Sequence, residues 1–136
     1  MTPTIDYDEQ RRQRDDERYT RLVQAAQLAD AELSVLALYD TERGALGHDF
    51  GNGQRFTELV RARRAQEAAV REAHTFGYGM GIGALNATRA QCLDAWERVS
   101  TRKLARYRTA PHTDATKSRA VEAWRRARLA IMEMDA

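Results

Sequence analysis

The chain has 136 residues, of which 43% are hydrophobic and 31% charged, and its formal net charge is +2. This composition is typical of a globular protein rather than a disordered one, and the length suits a single domain, residues 1–136, with a core of its own. The single cysteine, Cys92, excludes an internal disulfide and fits a reducing compartment. Because the sequence shows neither the apolar core of a signal peptide nor an apolar run of the ~18 residues that a membrane span needs, we expect a cytoplasmic protein.

The distribution of charge is more informative than its total. Arginine outnumbers lysine by 20 to 2 and alanine occurs 23 times, a bias that GC-rich codons produce in bacterial and phage proteins without any functional cause. Residues 98–128, however, contain ten basic and two acidic residues, whereas residues 1–97 carry a net charge of −4. Codon bias does not explain this segregation.

The first predicted helix begins within residues 6–18 and ends near Glu42. Its apolar residues recur at helical steps of three and four: Tyr19, Leu22, Ala26, Ala29, Leu33 and Leu36. The opening segment, 6–18, has almost no apolar face, although i,i+4 pairs such as Asp8 with Arg12 support a solvated helix. We therefore expect this segment to fray or to project from the body of the protein.

The second predicted helix follows a loop of residues 43–54, in which Asn52 and Gly53 give a turn signal. It runs from Gln54 to at least His74. Its buried stripe consists of Phe56, Leu59, Ala62, Gln66, Ala69, Ala73 and Phe76. Alanine dominates this stripe, so a neighbouring helix can approach closely.

The third predicted helix covers about Ala84 to Thr109, and Pro111 ends it because the residue before a proline disfavours the α region. Asp114 is the predicted cap of the fourth helix. The buried stripe of that helix consists of Ala120, Trp124, Ala127, Ile131 and Met134. The sequence therefore predicts an all-α fold, an antiparallel bundle of four or five helices with a long charged N-terminal helix and a Gly-rich break or thinned helix at 77–83.

The segment FGYGMGIGAL, residues 76–85, joins the second and third predicted helices. Its alternating glycines match neither the GxGxxG nor the Walker spacing, which argues against a phosphate-binding loop, and a strand would need a partner strand that the chain does not offer. Two interpretations remain open: an irregular linker, or a helix thinned for close packing at a cost of about 1 kcal/mol per glycine. In the second case the close-packing interface consists of Gly77, Gly79, Gly81, Gly83, Tyr78, Met80 and Ile82.

The histidines and the cysteine predict no catalytic residue, no metal site and no cofactor. The three histidines, His48, His74 and His112, lack the helical HxxxH and ExxH spacings of metal-binding bundles. Cys92 lies on an apolar helix face, where a cysteine behaves as a small hydrophobic residue.

The basic segment predicts a surface that suits a polyanion such as nucleic acid. Arg98, Arg102 and Arg106 follow one another at i, i+4 and i+8, and an antiparallel fourth helix would bring further arginines beside them. The full set is Arg98, Arg102, Lys103, Arg106, Arg108, Arg119, Arg125, Arg126 and Arg128. The alternative is a solvated face, or one that pairs with the acidic N-terminal half of its own chain or of another copy.

Two functional hypotheses follow. The first is a non-enzymatic interaction or assembly protein that binds other copies of itself, a larger complex or nucleic acid. The second is a small-molecule-binding protein or enzyme with a site between the loop 44–53 and the Gly-rich segment 77–83, lined by His48, Asp49, His74 and Tyr78. Because the second helix would hold those two loops about 30 Å apart, its length favours the first hypothesis.

Overall fold

The computed structural model describes the backbone of residues 6–45, 53–77, 86–109 and 114–134, and the side chains of residues 6–42, 57–77, 86–102 and 117–134. It contains four helices: α1 (Tyr7–Ala45), α2 (Gly53–Phe76), α3 (Arg89–Thr109) and α4 (Asp114–Met132). The described residues contain no strand. The predicted all-α bundle with a long, charged first helix is therefore confirmed.

Over the described residues, α1 packs extensively on each of the other three helices. The helix α2 runs antiparallel to it, because Phe76 at the end of α2 lies under the Arg18 guanidinium, 4.7 Å from the ring centroid, whereas Ala62 packs in the same cluster as Leu36. Beyond this contact with α1, α2 scarcely touches α3 or α4. The first two helices thus form a hairpin that depends on its own interface.

The helices α3 and α4 form a second antiparallel hairpin. At its open end, Arg89 donates hydrogen bonds to the carbonyl oxygens of Met132 and Met134, at 3.3 and 3.1 Å. Further along, Nε1 of Trp96 donates to the carbonyl oxygen of Trp124 at 2.8 Å. These bonds fix the register of the two helices.

The second hairpin lies obliquely across α1. Near the start of α3, the Ala87 N–H donates to Oδ2 of Asp30 at 2.8 Å, and further along α3 Arg102 reaches Glu32 at 3.2 Å. Residues 30 and 32 project about 200° apart around a helix. The helix α3 therefore crosses α1 from its Asp30 side to its Glu32 side.

The main core lies where the two hairpins meet. The Tyr39 ring stacks on Trp124 with centroids 4.1 Å apart, and Trp96 meets Trp124 edge-on at 6.4 Å. Ala31 and Val35 of α1 pack in this core and are fully buried. A smaller cluster of Ala26, Val70 and Ala73 joins α1 to α2. Small side chains at these positions let the helices approach closely, as the alanine-rich stripes predict.

Two side-chain caps define where helices begin. Oδ1 of Asp6 accepts hydrogen bonds from the backbone N–H groups of Asp8 and Glu9, both at 3.1 Å, and so caps α1. Thr88 and Gln91 form a reciprocal capping box at the start of α3, with bonds of 2.9 and 3.2 Å. The prediction that the third helix begins near Ala84 is therefore wrong over residues 86–88, which are not helical and end in the capping residue Thr88.

Gly77 ends α2 in close contact with α1. Its N–H donates to the Ala73 carbonyl at 2.7 Å. A Cβ atom at this position would overlap Cε2 of the Tyr19 ring and would lie 2.6 Å from the Ala73 carbonyl oxygen. Glycine is therefore required here by the approach of the Tyr19 ring rather than by an unusual backbone conformation.

We expect Gly77→Ala to destabilise the protein by about 1–3 kcal/mol, because the new methyl group displaces the Tyr19 ring from the end of α2. Urea unfolding followed by circular dichroism measures the change. In a Tyr19→Ala background the same substitution should cost less, since only the close contact with the Ala73 carbonyl oxygen remains. An equal cost in both backgrounds would contradict this account.

We expect Asp30→Ala to cost about 1–3 kcal/mol, because it leaves the Ala87 N–H without its acceptor in a half-buried position. Asp30→Asn keeps an acceptor oxygen at the same place and serves as the matched control. The two variants are compared by urea unfolding. If both lose the same stability, the hydrogen bond to Ala87 is not the cause.

Candidate interaction surfaces

Two arginines of the predicted basic set are described on α3: one forms an ion pair and the other is exposed to solvent. Nη2 of Arg102 lies 3.2 Å from Oε1 of Glu32, and both side chains remain about half exposed, at 55% and 41%. Arg98, one turn earlier, is exposed. Lys103, Arg106 and Arg108, which belong to the same predicted basic set, lie outside the described side chains.

The arginines of α4 surround a single carboxylate and an aromatic ring. Arg125 and Arg126 both pair with Glu122, at 3.3 and 3.4 Å. The Arg128 guanidinium lies 5.7 Å from the centroid of the Trp96 ring and contacts the sulfur of Met132 at 3.4 Å. Arg119 is exposed. This helix therefore keeps a basic outer side, because one acid faces two arginines.

The structure does not bring all the described arginines of the basic segment onto one surface. Arg128 covers Trp96 at the seam between α3 and α4. On α3, Arg98 projects about 200° away from Trp96 and Arg102 about 240° away. The described basic groups of the two helices thus face different sides of the hairpin, and nucleic-acid binding by the whole 98–128 segment stays a prediction.

An exposed apolar stripe runs along the outer side of α4. Val121, Leu129 and Met132 are 43%, 54% and 47% exposed, and they project from one side of the helix, away from the buried Trp124 and Ile131. We call these three residues, together with Arg125, Arg126 and Arg128, the α4 surface. The sequence analysis missed its apolar members because it recorded only the buried stripe, although Val121 and Leu129 lie off that stripe in the sequence.

The first turns of α1 form a projecting arm. Residues 6–18, which we call the N-terminal arm, are exposed at every position, and the 12 residues of helix within them extend for about 18 Å. Four acids of the arm, Asp8, Glu9, Asp15 and Asp16, lie on one side of the helix together with a single arginine, Arg12, and the other arginines, Arg11, Arg14 and Arg18, lie on another side. Within the arm, Arg12 pairs loosely with Glu9 at 3.9 Å. The arm thus presents an acidic side to solvent.

A groove of about 330 Å³ lies between α1, α2 and the middle of α3. Four apolar residues of its lining are Ala29, Leu36, Ala62 and Ala65; Glu58 and Arg61 of α2 also line it, and the Arg102–Glu32 ion pair lies at its edge. The lining contains no serine, threonine, cysteine or histidine, and its two acidic and two basic side chains balance in charge. We therefore assign the groove no chemical role.

The residues of the hypothetical small-molecule site are separated along α2. This helix is continuous over 24 residues, about 36 Å, so the loop before it and the segment after it join opposite ends. His74 is half-buried on the last turn, and His48, Asp49 and Tyr78 lie outside the described residues. This separation counts against a site shared by the two loops.

The proposed close-packing interface is described at one residue only. Gly77 packs against Tyr19 of its own chain, whereas Gly79, Gly81, Gly83, Tyr78, Met80 and Ile82 lie outside the described residues. Whether the segment is a thinned helix or a linker therefore stays open. Among the described residues, no group of three or more histidine, cysteine or acidic side chains could hold a metal ion, and no helix is long and apolar enough to cross a membrane.

Cys92 is fully buried in the main core, as its apolar helix face predicts. Burial raises the pKa of its thiol above the usual value of 9.0, and the nearby negative charge of Asp30 raises it further. A thiol held in its protonated form is a poor nucleophile. Cys92 therefore contributes to packing rather than to chemistry.

Comparison with known proteins identifies no relative. No protein family, curated protein or solved structure matches the chain.

We expect the contribution of Cys92 to stability to be lost at alkaline pH. Because its pKa is raised in the folded state, folding favours the protonated thiol; this contribution is complete below the unfolded-state pKa and disappears as the pH rises through the folded-state pKa. The stability difference between the wild type and Cys92→Ala, measured by urea unfolding, should therefore shrink between pH 7.5 and pH 10. A difference that does not change with pH would show that the thiol does not titrate differently on folding.

Proposed function

We propose that this protein is a non-enzymatic interaction or assembly protein that binds a protein partner through the α4 surface. One observation carries the proposal: three of the large apolar side chains that the fold leaves exposed, Val121, Leu129 and Met132, share one side of α4. An exposed apolar stripe with charged neighbours is typical of protein interaction sites.

The size of the stripe indicates what the partner must supply. Covering the exposed halves of three such side chains would contribute on the order of 3 kcal/mol. A dissociation constant of 1 mM corresponds to about 4 kcal/mol, and association also costs translational and side-chain freedom. The apolar stripe alone is therefore too small, and a partner must add contacts with Arg125, Arg126 or Arg128.

An acidic protein surface fits these arginines better than a phosphate backbone does. Nucleic-acid binding of the predicted kind needs many unpaired cations aligned on one side. Here Arg102 faces Glu32, Arg125 and Arg126 share Glu122, and the described arginines of α3 and α4 face different sides. A protein partner needs only a few of these charges beside the apolar stripe.

Photo-crosslinking in living cells tests the proposal. A photoreactive amino acid replaces Leu129 in one variant and Leu28 in another; Leu28 is the matched control because it is 44% exposed on α1 against 54% for Leu129. We expect the Leu129 position to give discrete crosslinked species, identified by mass spectrometry, and the Leu28 position to give only background.

A second substitution separates binding from chance proximity. Met132→Glu introduces a negative charge into the stripe and should reduce the yield of the Leu129 crosslinks, while an unchanged circular dichroism spectrum shows that the fold is intact. Equal crosslink yields at positions 129 and 28 would contradict the proposed function. So would a yield at position 129 that Met132→Glu does not reduce.

A further inference from the structure

The N-terminal arm and the α4 surface cannot meet within one molecule. The end of α4 is fixed beside the start of α3 by the bonds from Arg89 to Met132 and Met134, and the start of α3 is fixed to α1 at Asp30. Asp30 lies 12 residues beyond the last residue of the arm, about 18 Å along a continuous helix. The arm therefore points away from the body that carries α4.

The two regions are complementary in charge. The arm contains six acidic and four basic residues, and four of the acids lie on one side of its helix. Residues 117–134 contain five basic and two acidic residues, and one of these acids, Glu122, is shared by Arg125 and Arg126. Exposed ion pairs of this kind contribute little to stability, so these arginines can exchange Glu122 for an acid of a partner.

The two regions also match in length. The stretch Val121–Met132 rises by about 16 Å, close to the length of the helical part of the arm. In the arm, the acidic pairs Asp8-Glu9 and Asp15-Asp16 lie seven residues apart and project from nearly the same side. One of these pairs can thus face Arg125 and Arg126, which are adjacent on α4.

We propose that the arm of one copy binds the α4 surface of a second copy, so that the protein assembles head to tail. This inference rests on the proposed function and identifies the protein partner as a second copy of this chain. The acidic side of the arm lies against Arg125 and Arg126 of the second copy, beside its apolar stripe. Each copy then keeps a free arm at one end and a free α4 surface at the other.

Such a contact has two measurable consequences. A head-to-tail contact leads to rings or open chains rather than stopping at a two-fold dimer. It is also sensitive to salt, because exposed charges are screened within about 10 Å at 0.1 M salt but within about 3 Å at 1 M. The average mass in solution should therefore rise with protein concentration at low salt and fall to that of a monomer at high salt.

Paired charge reversals test the contact by sedimentation velocity at 0.05 and 1 M salt. The arm variant is Asp15→Arg with Asp16→Arg, and the α4-surface variant is Arg125→Glu with Arg126→Glu. We expect each alone to weaken association by about tenfold or more at low salt, since attraction becomes repulsion. An equimolar mixture of the two should regain association, because the wild-type arm of one variant then meets the wild-type surface of the other.

The matched control is Arg63→Glu with Arg64→Glu, an adjacent pair of exposed arginines on α2 with the same change in net charge. We expect this variant to associate like the wild type. A monomeric wild type at low salt and high concentration would overturn the inference, and so would an arm variant that still associates or a mixture that stays monomeric. Misfolding does not imitate the expected result, because two misfolded variants do not regain association when mixed.

The inference and the proposed function can fail separately. Crosslinks at Leu129 to a different protein, with a monomeric wild type, would overturn the head-to-tail contact and leave the proposed function standing. Crosslinks at Leu129 that contain only this chain support both. The absence of crosslinks together with a monomeric wild type would overturn both.

Discussion

The stack of Tyr39 on Trp124 is the contact on which the architecture depends. It joins α1 to α4, and Trp96 extends it to α3 through an edge-on ring contact and a hydrogen bond to the Trp124 carbonyl. Aromatic pairs of this kind contribute about 0.5–1.5 kcal/mol beyond the area they bury. The Trp124 indole N–H finds no acceptor in the part of the chain that the structure describes, so ring packing rather than hydrogen bonding holds this side chain. Since α2 scarcely touches the second hairpin, these rings provide much of the contact between the α1–α2 hairpin and the α3–α4 hairpin.

Helical periodicity predicted the parts of the fold that depend on local spacing. Steps of three and four correctly placed Ala26, Trp124 and Ile131 in the interior, because a helix that packs on one side buries residues at that spacing. The same reasoning misplaced the start of α3. A capping box, Thr-x-x-Gln, was present at residues 88–91 and would have marked the correct start. The bond from Ala87 to Asp30 joins residues 57 positions apart, and no local pattern predicts such a contact.

The charged surfaces show a similar division between local and long-range information. The pairs that Glu122 makes with Arg125 and Arg126 follow the i,i+3 and i,i+4 rule and are visible in the sequence. The pair between Glu32 and Arg102 depends on how α3 crosses α1. It is therefore not visible in the sequence. A count of arginines in residues 98–128 therefore does not show which of them share one surface. The apolar residues of the α4 surface were missed for a different reason: burial is a tertiary property, and an exposed leucine looks like a buried one in sequence.

The dependence of α2 on a single neighbour divides the molecule into two cooperative units of unequal strength. Among the described residues, the outer part of the first hairpin is held by a small cluster whose buried members are Ala26, Val70 and Ala73, whereas the second hairpin shares the large aromatic core with the C-terminal half of α1. Local opening of a protein follows such boundaries. The amide protons of α2 should accordingly exchange with solvent at a lower free-energy cost than those of α4. A partner that engages α4 would therefore bind the half of the protein that contains the larger core.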